Sequence, residues 1–380
     1  MPERPIPPEA LKSMDINPEN PESDNERLEK LMEEERGEHD KRLDEVIGGF
    51  LQRRDDDEAH KLDVVADALL TRRDKPGKTK SRIRTLILAL SGAATGTYGA
   101  GQIAALFETC INPGEVDNCV GVSTGSGPLL YYLSGKEIFY KGASIYTHIL
   151  EQSGFLNFKN WPRIMDVWVV IKAFLTGERA VDTKAVIRAP SGFWVIAQNT
   201  ETGKNEIIDA KPDPINAVHA SMAVPYFYGE KVELEGGTYT DGAFAEIPFE
   251  EIIKKFKPTH VLIIPNMPFE DLANFKIVNG ILRVIEWLLP EKGTPGVFKK
   301  VLQREKDVKS LRLACDEMAA EYGVKIGWFW PPDCKLKTIT TDQKILKNAM
   351  RTAAADAYKK LNKNNPDPAK REKHDFPFWE

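Results

Sequence analysis

Cysteine is scarce in this 380-residue chain, present only as Cys110, Cys119, Cys315 and Cys334. No two of them form a CxxC and no histidine stands at metal-ligand spacing from them, so neither a zinc site nor a disulfide framework is expected. Basic residues are outnumbered, 52 Lys and Arg against 57 Asp and Glu, for a formal net charge of −5. Phosphate-rich partners call for a basic surface, so nucleic acid is excluded as the main partner. Long apolar runs are missing as well. Nothing reaches the roughly 18 consecutive apolar residues of a membrane span, and the opening MPERPIPPEALKSMD has an acid at Glu3 and no apolar stretch of a secretory leader. A reduced, cytoplasmic setting is the expectation. Histidine is rare too, six in all, which narrows the choice of a catalytic base.

What is present is the composition of an ordinary globular protein, 42% hydrophobic and 29% charged. Its distribution divides the chain. Residues 1–25, rich in Pro, Glu and Asn, read as disordered. Residues 26–80 form a charged, amphipathic helical extension, with Leu43, Val46, Ile47, Phe50 and Leu51 in one apolar stripe and Leu62, Val65 and Leu69 in a second. Such helices dock on the main domain or on a protein partner. Asp74-Lys75-Pro76-Gly77-Lys78 is a turn signal. The main domain is expected over 81–365, followed by a charged tail, 366–380.

Within 81–365, short apolar runs alternate with helix-period segments. TLILAL (Thr85 to Leu90), Cys119 to Val122 and HVLIIP (His260 to Pro265) read as buried strands. QIAALFE (Gln102 to Glu108) and Thr341 to Leu361 read as helices, and another begins near Gly125. FWVIAQ (Phe193 to Gln198) and Glu206 to Ile208 flank Asn199-Thr200-Glu201-Thr202-Gly203 as a hairpin. Strand–helix alternation predicts an α/β fold whose mostly parallel sheet is covered on both faces.

Three places carry candidate chemistry. Gly121-Val122-Ser123-Thr124-Gly125 is a GxSxG at a strand-to-helix junction. A sharp turn there thrusts the serine outward, Gly121 and Gly125 allow close backbone approach, and the next helix N-terminus favours negative charge. Second, Ser91-Gly92-Ala93-Ala94-Thr95-Gly96-Thr97-Tyr98-Gly99-Ala100-Gly101 follows the first strand. It reads as an anion-binding loop, either an oxyanion hole for Ser123 or a packing loop; it lacks the lysine of a phosphate loop and a clean GxGxxG. Third is the base. His260 begins a strand, His374 sits in the charged tail and His219 reads as a packing residue. Asp241, in Thr240-Asp241-Gly242-Ala243, is an acid in a tight turn, and a carboxylate in hydrogen-bond reach of a hydroxyl serves as a base without imidazole.

In that order, SGAATGTYGAG, GVSTG and DGA, these segments resemble the patatin-like phospholipases. ASMAVP (Ala220 to Pro225) and FAEIPF (Phe244 to Phe249) are similar to that family's text before and after its acid. The likeness runs from about Thr85 to Pro265. It implies a patatin-like three-layer α/β/α fold carrying the N-terminal helical extension, and lipid acyl-ester hydrolysis without metal or cofactor. Ser123 would be the nucleophile and Asp241 its proton acceptor, with Gly121, Gly125, Gly242 and Ala243 as motif positions and Gly92, Ala93 and Ala94 as oxyanion residues. The substrate would be a phospholipid or another lipid ester. One departure stands out: the family's glycine-rich loop carries Ala93 and Ala94 here and has no arginine before Gly96. A positive φ at either alanine would cost roughly 1 kcal/mol or more. The other reading is therefore a catalytically weak protein of this fold that binds a lipid or a partner. Met165 to Leu175 and Ile277 to Leu289, with Trp168, Phe174 and Trp287, are either core helices or helices that rest on a membrane surface.

Overall fold

The computed structural model describes residues 57, 59–75, 82–149, 165–225, 227–266, 311–332 and 342–363, with isolated positions 155, 157, 163, 336 and 340. The stripe over 43–51, the segment 277–289, Cys334 and His374 lie outside the described residues. Cys110, Cys119 and Cys315 are free thiols.

The frame is an eight-stranded sheet. Strands β1 (Thr85–Ala89), β2 (Asn118–Val122), β3 (Gly192–Asn199), β7 (His260–Ile264) and β8 (Lys325–Trp328) run parallel in the order β3-β2-β1-β7-β8. Their side chains alternate between two apolar layers. Ile87 and Ala89 enter one, Leu86 and Leu88 the other. That explains the unbroken apolar run of β1: a strand covered on both faces has no polar side.

The first layer is built by α1 (59–74), α2 (Gly96–Glu108), α3 (Ser126–Ser134), α4 (Lys136–Ala143), α5 (Val167–Leu175), α6 (Thr183–Arg188), α7 (Pro214–Met222) and α10 (Gln343–Leu361). The second holds α8 (Phe249–Phe256) and α9 (311–322). Helix α2 starts a turn and a half earlier than QIAALFE suggests, because its small residues let α10 come close. A Cβ on Gly101 would stand 2.4 Å from the Met350 carbonyl oxygen, and Ala349, Ala353, Ala354 and Ala357 of α10 are all buried. Asp342 caps α10 by accepting the Ile345 N–H at 2.9 Å.

Helix α1 is part of this core. Leu62, Val65 and Leu69, the second sequence stripe, are buried with Ala66, each large side chain contributing about 1.5–3 kcal/mol by its removal from water. Buried Arg72 fastens the other side, donating to the Ile83 carbonyl at 2.8 Å and pairing with Asp117, which also accepts the Thr85 N–H at 2.8 Å.

Strand β3 is where the sheet turns antiparallel. β4 (Asn205–Asp209) covers one edge of it, closing the expected hairpin. The other edge is shared. β2 pairs with Gly192 to Ile196, and β6 (Gly237–Asp241) arrives from the opposite direction to pair with Ala197 to Asn199. β5 (Val232–Leu234) pairs with β6 in turn. Val122 is level with Ile196 and Asp241 with Ala197, so the C-terminal ends of β2 and β6 meet head-on.

Candidate active site

That meeting of strand ends brings the two sequence-derived candidates together. Ser123 follows the last residue of β2, and Asp241 is the last residue of β6. The Ser123 hydroxyl donates to Asp241 Oδ2 at 2.7 Å. Both are deep: Ser123 is 5% exposed and Asp241 1%. β2 has no room to continue, because β6 occupies the edge ahead. The chain breaks away at Ser123, which takes φ 52°, a left-handed conformation that costs a non-glycine residue about 1–2 kcal/mol. A 3₁₀ turn, Ser123–Gly125, then leads into α3.

The motif positions are explained by close approach. A Cβ on Gly121 would lie 2.5 Å from Ser126 Cα, and one on Gly125 would lie 2.4 Å from the Ala89 carbonyl oxygen of β1. At Gly242 a Cβ would come within 2.4 Å of the Ile196 carbonyl oxygen. The Ala243 N–H donates to Asp241 Oδ1 at 2.8 Å, so each oxygen of the carboxylate accepts a hydrogen bond. The Asp241 amide in turn donates to the Ala223 carbonyl at 2.9 Å. The carboxylate is thereby aimed at the serine.

The loop after β1 winds directly into a helix. Ala93–Thr95 form a right-handed 3₁₀ turn running into α2, and the positive φ considered for the alanines does not occur there. Neither alanine carries the strain that a positive φ would bring, because this turn never needs the left-handed region. The Gly92 N–H is engaged, donating to Thr124 Oγ1 at 2.9 Å. The Thr95 amide closes the turn onto the Gly92 carbonyl at 3.0 Å. Ala93 and Ala94 begin the turn, the position where helical amides have no intrahelical partner.

His219 is elsewhere. Its Nε2 pairs with the Tyr228 hydroxyl at 2.9 Å, Tyr228 donates to Glu230 at 2.9 Å, and the Trp168 indole N–H reaches the same carboxylate at 3.0 Å. Burial holds the His219 imidazole below its ordinary value, with Glu230 pulling weakly the other way. His260 opens β7 with Nδ1 2.9 Å from the Thr259 hydroxyl and is likewise lowered by burial.

Two residues beside the site had no role assigned from the sequence, Ser221 lying within the ASMAVP segment and Asn266 outside every motif. Ser221 accepts the Ser123 N–H at 2.9 Å and donates to the Ile196 carbonyl at 2.7 Å. Buried Asn266, at φ 59°, donates from its side chain to the Leu90 carbonyl where the loop begins. Only the position of Asn266, just beyond a buried strand at the carboxyl edge of the sheet, could have pointed to it.

No family model matches the chain. It is 25% identical over 212 residues to the uncharacterized protein YjjU of Escherichia coli (strain K12), a match covering 54% of this chain and 57% of that one. The chain thus spans less than two thirds of that relative's length. Among solved structures, it aligns with VipD from Legionella pneumophila at a TM-score of 0.42 and 10% identity, over 74% of this chain and 67% of VipD.

Proposed function

We propose that the chain is a serine lipid-acyl hydrolase, the activity that its motifs' resemblance to the patatin-like phospholipases implies. The observation that carries this reading is the 2.7 Å hydrogen bond from Ser123 to Asp241, made by a serine on a left-handed strand-to-helix turn. Asp241 takes the hydroxyl proton as Ser123 Oγ attacks the ester carbonyl. The tetrahedral intermediate collapses to an acyl-enzyme, and the alcohol leaves with the proton from Asp241. Water, deprotonated by Asp241, then releases the fatty acid and restores the serine. The developing oxyanion would be met by amides of the Ala93–Thr95 turn and the start of α2, whose dipole favours negative charge. No metal or organic cofactor takes part in these steps. The substrate class is a phospholipid, lysophospholipid or other lipid ester, reached at a membrane surface; no described helix is long and apolar enough to cross a membrane.

A second reading rests on Gly92. Its N–H is given to Thr124, so an oxyanion uses it only by displacing that hydroxyl. A protein of this fold that binds lipid and turns it over weakly, or binds a protein partner, fits this feature. Hydrolysis of a short-chain chromogenic ester and of mixed phospholipids, by the parent and by Ser123→Ala, separates the two. Turnover lost in Ser123→Ala supports the hydrolase. Lipid binding with equal residual turnover in both proteins supports the second reading and sinks the first.

A further inference from the structure

The junction on the edge of β3 leaves a gap in the hydrogen-bond ladder. β2 ends at Val122 and β6, coming from the opposite direction, ends at Asp241, so between the two ends the Ser123 N–H and the Ile196 C=O have lost the strand that would pair them. A buried backbone donor or acceptor needs a partner. Ser221, fully buried near the end of α7, supplies one to each: its Oγ accepts from Ser123 N at 2.9 Å and donates to Ile196 O at 2.7 Å. The Ser126 hydroxyl donates to the same oxygen at 3.2 Å, which completes the two acceptor positions and one donor of a hydroxyl. Two residues on, the Ala223 carbonyl accepts the Asp241 amide at 2.9 Å. One helix end therefore grips both members of the pair.

We propose that Ser221 is a positioning residue for hydrolysis: its hydroxyl bridges the broken ladder, fixes the left-handed turn of Ser123, and so sets the distance from Oγ to Asp241. The inference rests on the hydrolase reading, with Ser123 as nucleophile. It separates two things that a buried serine could do. A residue that only stabilised the fold would lower the melting temperature and leave kcat intact in the protein that remains folded.

The test uses Ser221→Ala, Ser221→Thr and Ser126→Ala, assayed well below their melting temperatures. The readouts are kcat and KM on a chromogenic ester and the rate of Ser123 labelling by a fluorophosphonate probe. Ser221→Ala is expected to lose about 10- to 100-fold in kcat and in labelling rate, with KM within about twofold, since displacements near 1 Å cost rates of that order. Ser221→Thr, which keeps the oxygen, should recover part of the loss. Ser126→Ala, which leaves the Ser123–Ser221 and Ser221–Ile196 bonds in place, should lose at least about fivefold less than Ser221→Ala, because Ser126 reaches the ladder gap only through Ser221. If Ser221→Thr proves unstable, the comparison with Ser126→Ala decides alone. A folded Ser221→Ala protein that labels and turns over like the parent overturns the inference and leaves the hydrolase reading standing. A parent that neither hydrolyses esters nor labels at Ser123 overturns that reading, and the inference with it.

Discussion

Asp241→Asn tests the base with the least disturbance to the fold, because the side chain keeps its shape. Each oxygen of the carboxylate accepts a hydrogen bond, Oδ2 from Ser123 and Oδ1 from the Ala243 N–H. An amide has one oxygen, so it satisfies one donor and presents NH2 to the other. If the oxygen stays on Ala243, the NH2 faces Ser123 and donates to the hydroxyl, which then has no base. If the amide flips, the Ala243 N–H is left facing another donor, which costs about 1–3 kcal/mol. The flipped oxygen still cannot take a proton, since an amide is not basic. Either way the general base is gone, worth typically about 10²- to 10⁴-fold, or roughly 3–5 kcal/mol of barrier. Kinetics on a chromogenic ester, with circular dichroism to verify folding, give the measurement. Asp241→Asn and Ser123→Ala should each abolish nearly all activity, and the double variant should be little worse than either, as residues acting as one unit are non-additive. A folded Asp241→Asn protein retaining more than about a tenth of parental kcat/KM would refute the pairing. Attention would then move to His219.

Three further outcomes are expected. Ala94→Gly should give no rise in kcat, since the 3₁₀ turn is right-handed, and should lower stability by about 0.5–1 kcal/mol; a several-fold gain in kcat would show that the turn is strained after all. Folding stability should fall as pH drops from 7.5 to 5.5, because burial holds the folded His219 and His260 below the unfolded value of 6.5: that stabilisation is complete above 6.5 and is lost as pH falls toward the folded values. Urea unfolding of His219→Gln should show a smaller loss over this interval than the parent, and an equal loss would exclude His219 as a contributor. Vesicle binding, finally, should depend on α5, whose Val167, Val170, Ile171 and Phe174 are core while Trp168 (38% exposed) and Leu175 (52%) face outward around Lys172. Co-sedimentation of Ser123→Ala protein with liposomes should weaken in Leu175→Glu and Trp168→Gln and vary little with salt; folded variants that sediment like their parent remove α5 from any membrane face.

The elements legible in the sequence were those whose signal is local. TLILAL, HVLIIP and the Phe193-to-Ile208 hairpin announce themselves by apolar runs and turn residues, and they form β1, β7 and β3–β4. The GxSxG and the later Asp-Gly-Ala were legible as candidates for the same reason. What brings them together was not. The sharing of one β3 edge by β2 and β6 is a pairing between distant segments, and the alternation of VELE, cut short by Gly236-Gly237, and the four residues of KIGW are too brief to reveal β5, β6 or β8. The first turn and a half of α2 looks like a loop because GTYGAG is made of poor helix formers; tertiary packing against α10 overrides that preference. Ser221 stands in the ASMAVP segment, which marks the neighbourhood of the acid but says nothing of what its hydroxyl does. Only the ladder gap gives it a part.

The junction of β2 and β6 also determines when the site comes into being. Ser123 and Asp241 lie 118 residues apart in the chain, and their meeting requires that both β2 and β6 already sit on β3. Closing loops of that length is slow compared with forming helices, so α2 and α10 precede the site during refolding. A slip of one residue in the β3–β6 register would turn Asp241 to the opposite face of the sheet and leave a well-folded but inert molecule. Regained turnover is therefore a late and exacting clock for this protein: it starts only when the last antiparallel strand has docked in register, well after the helical signal has returned.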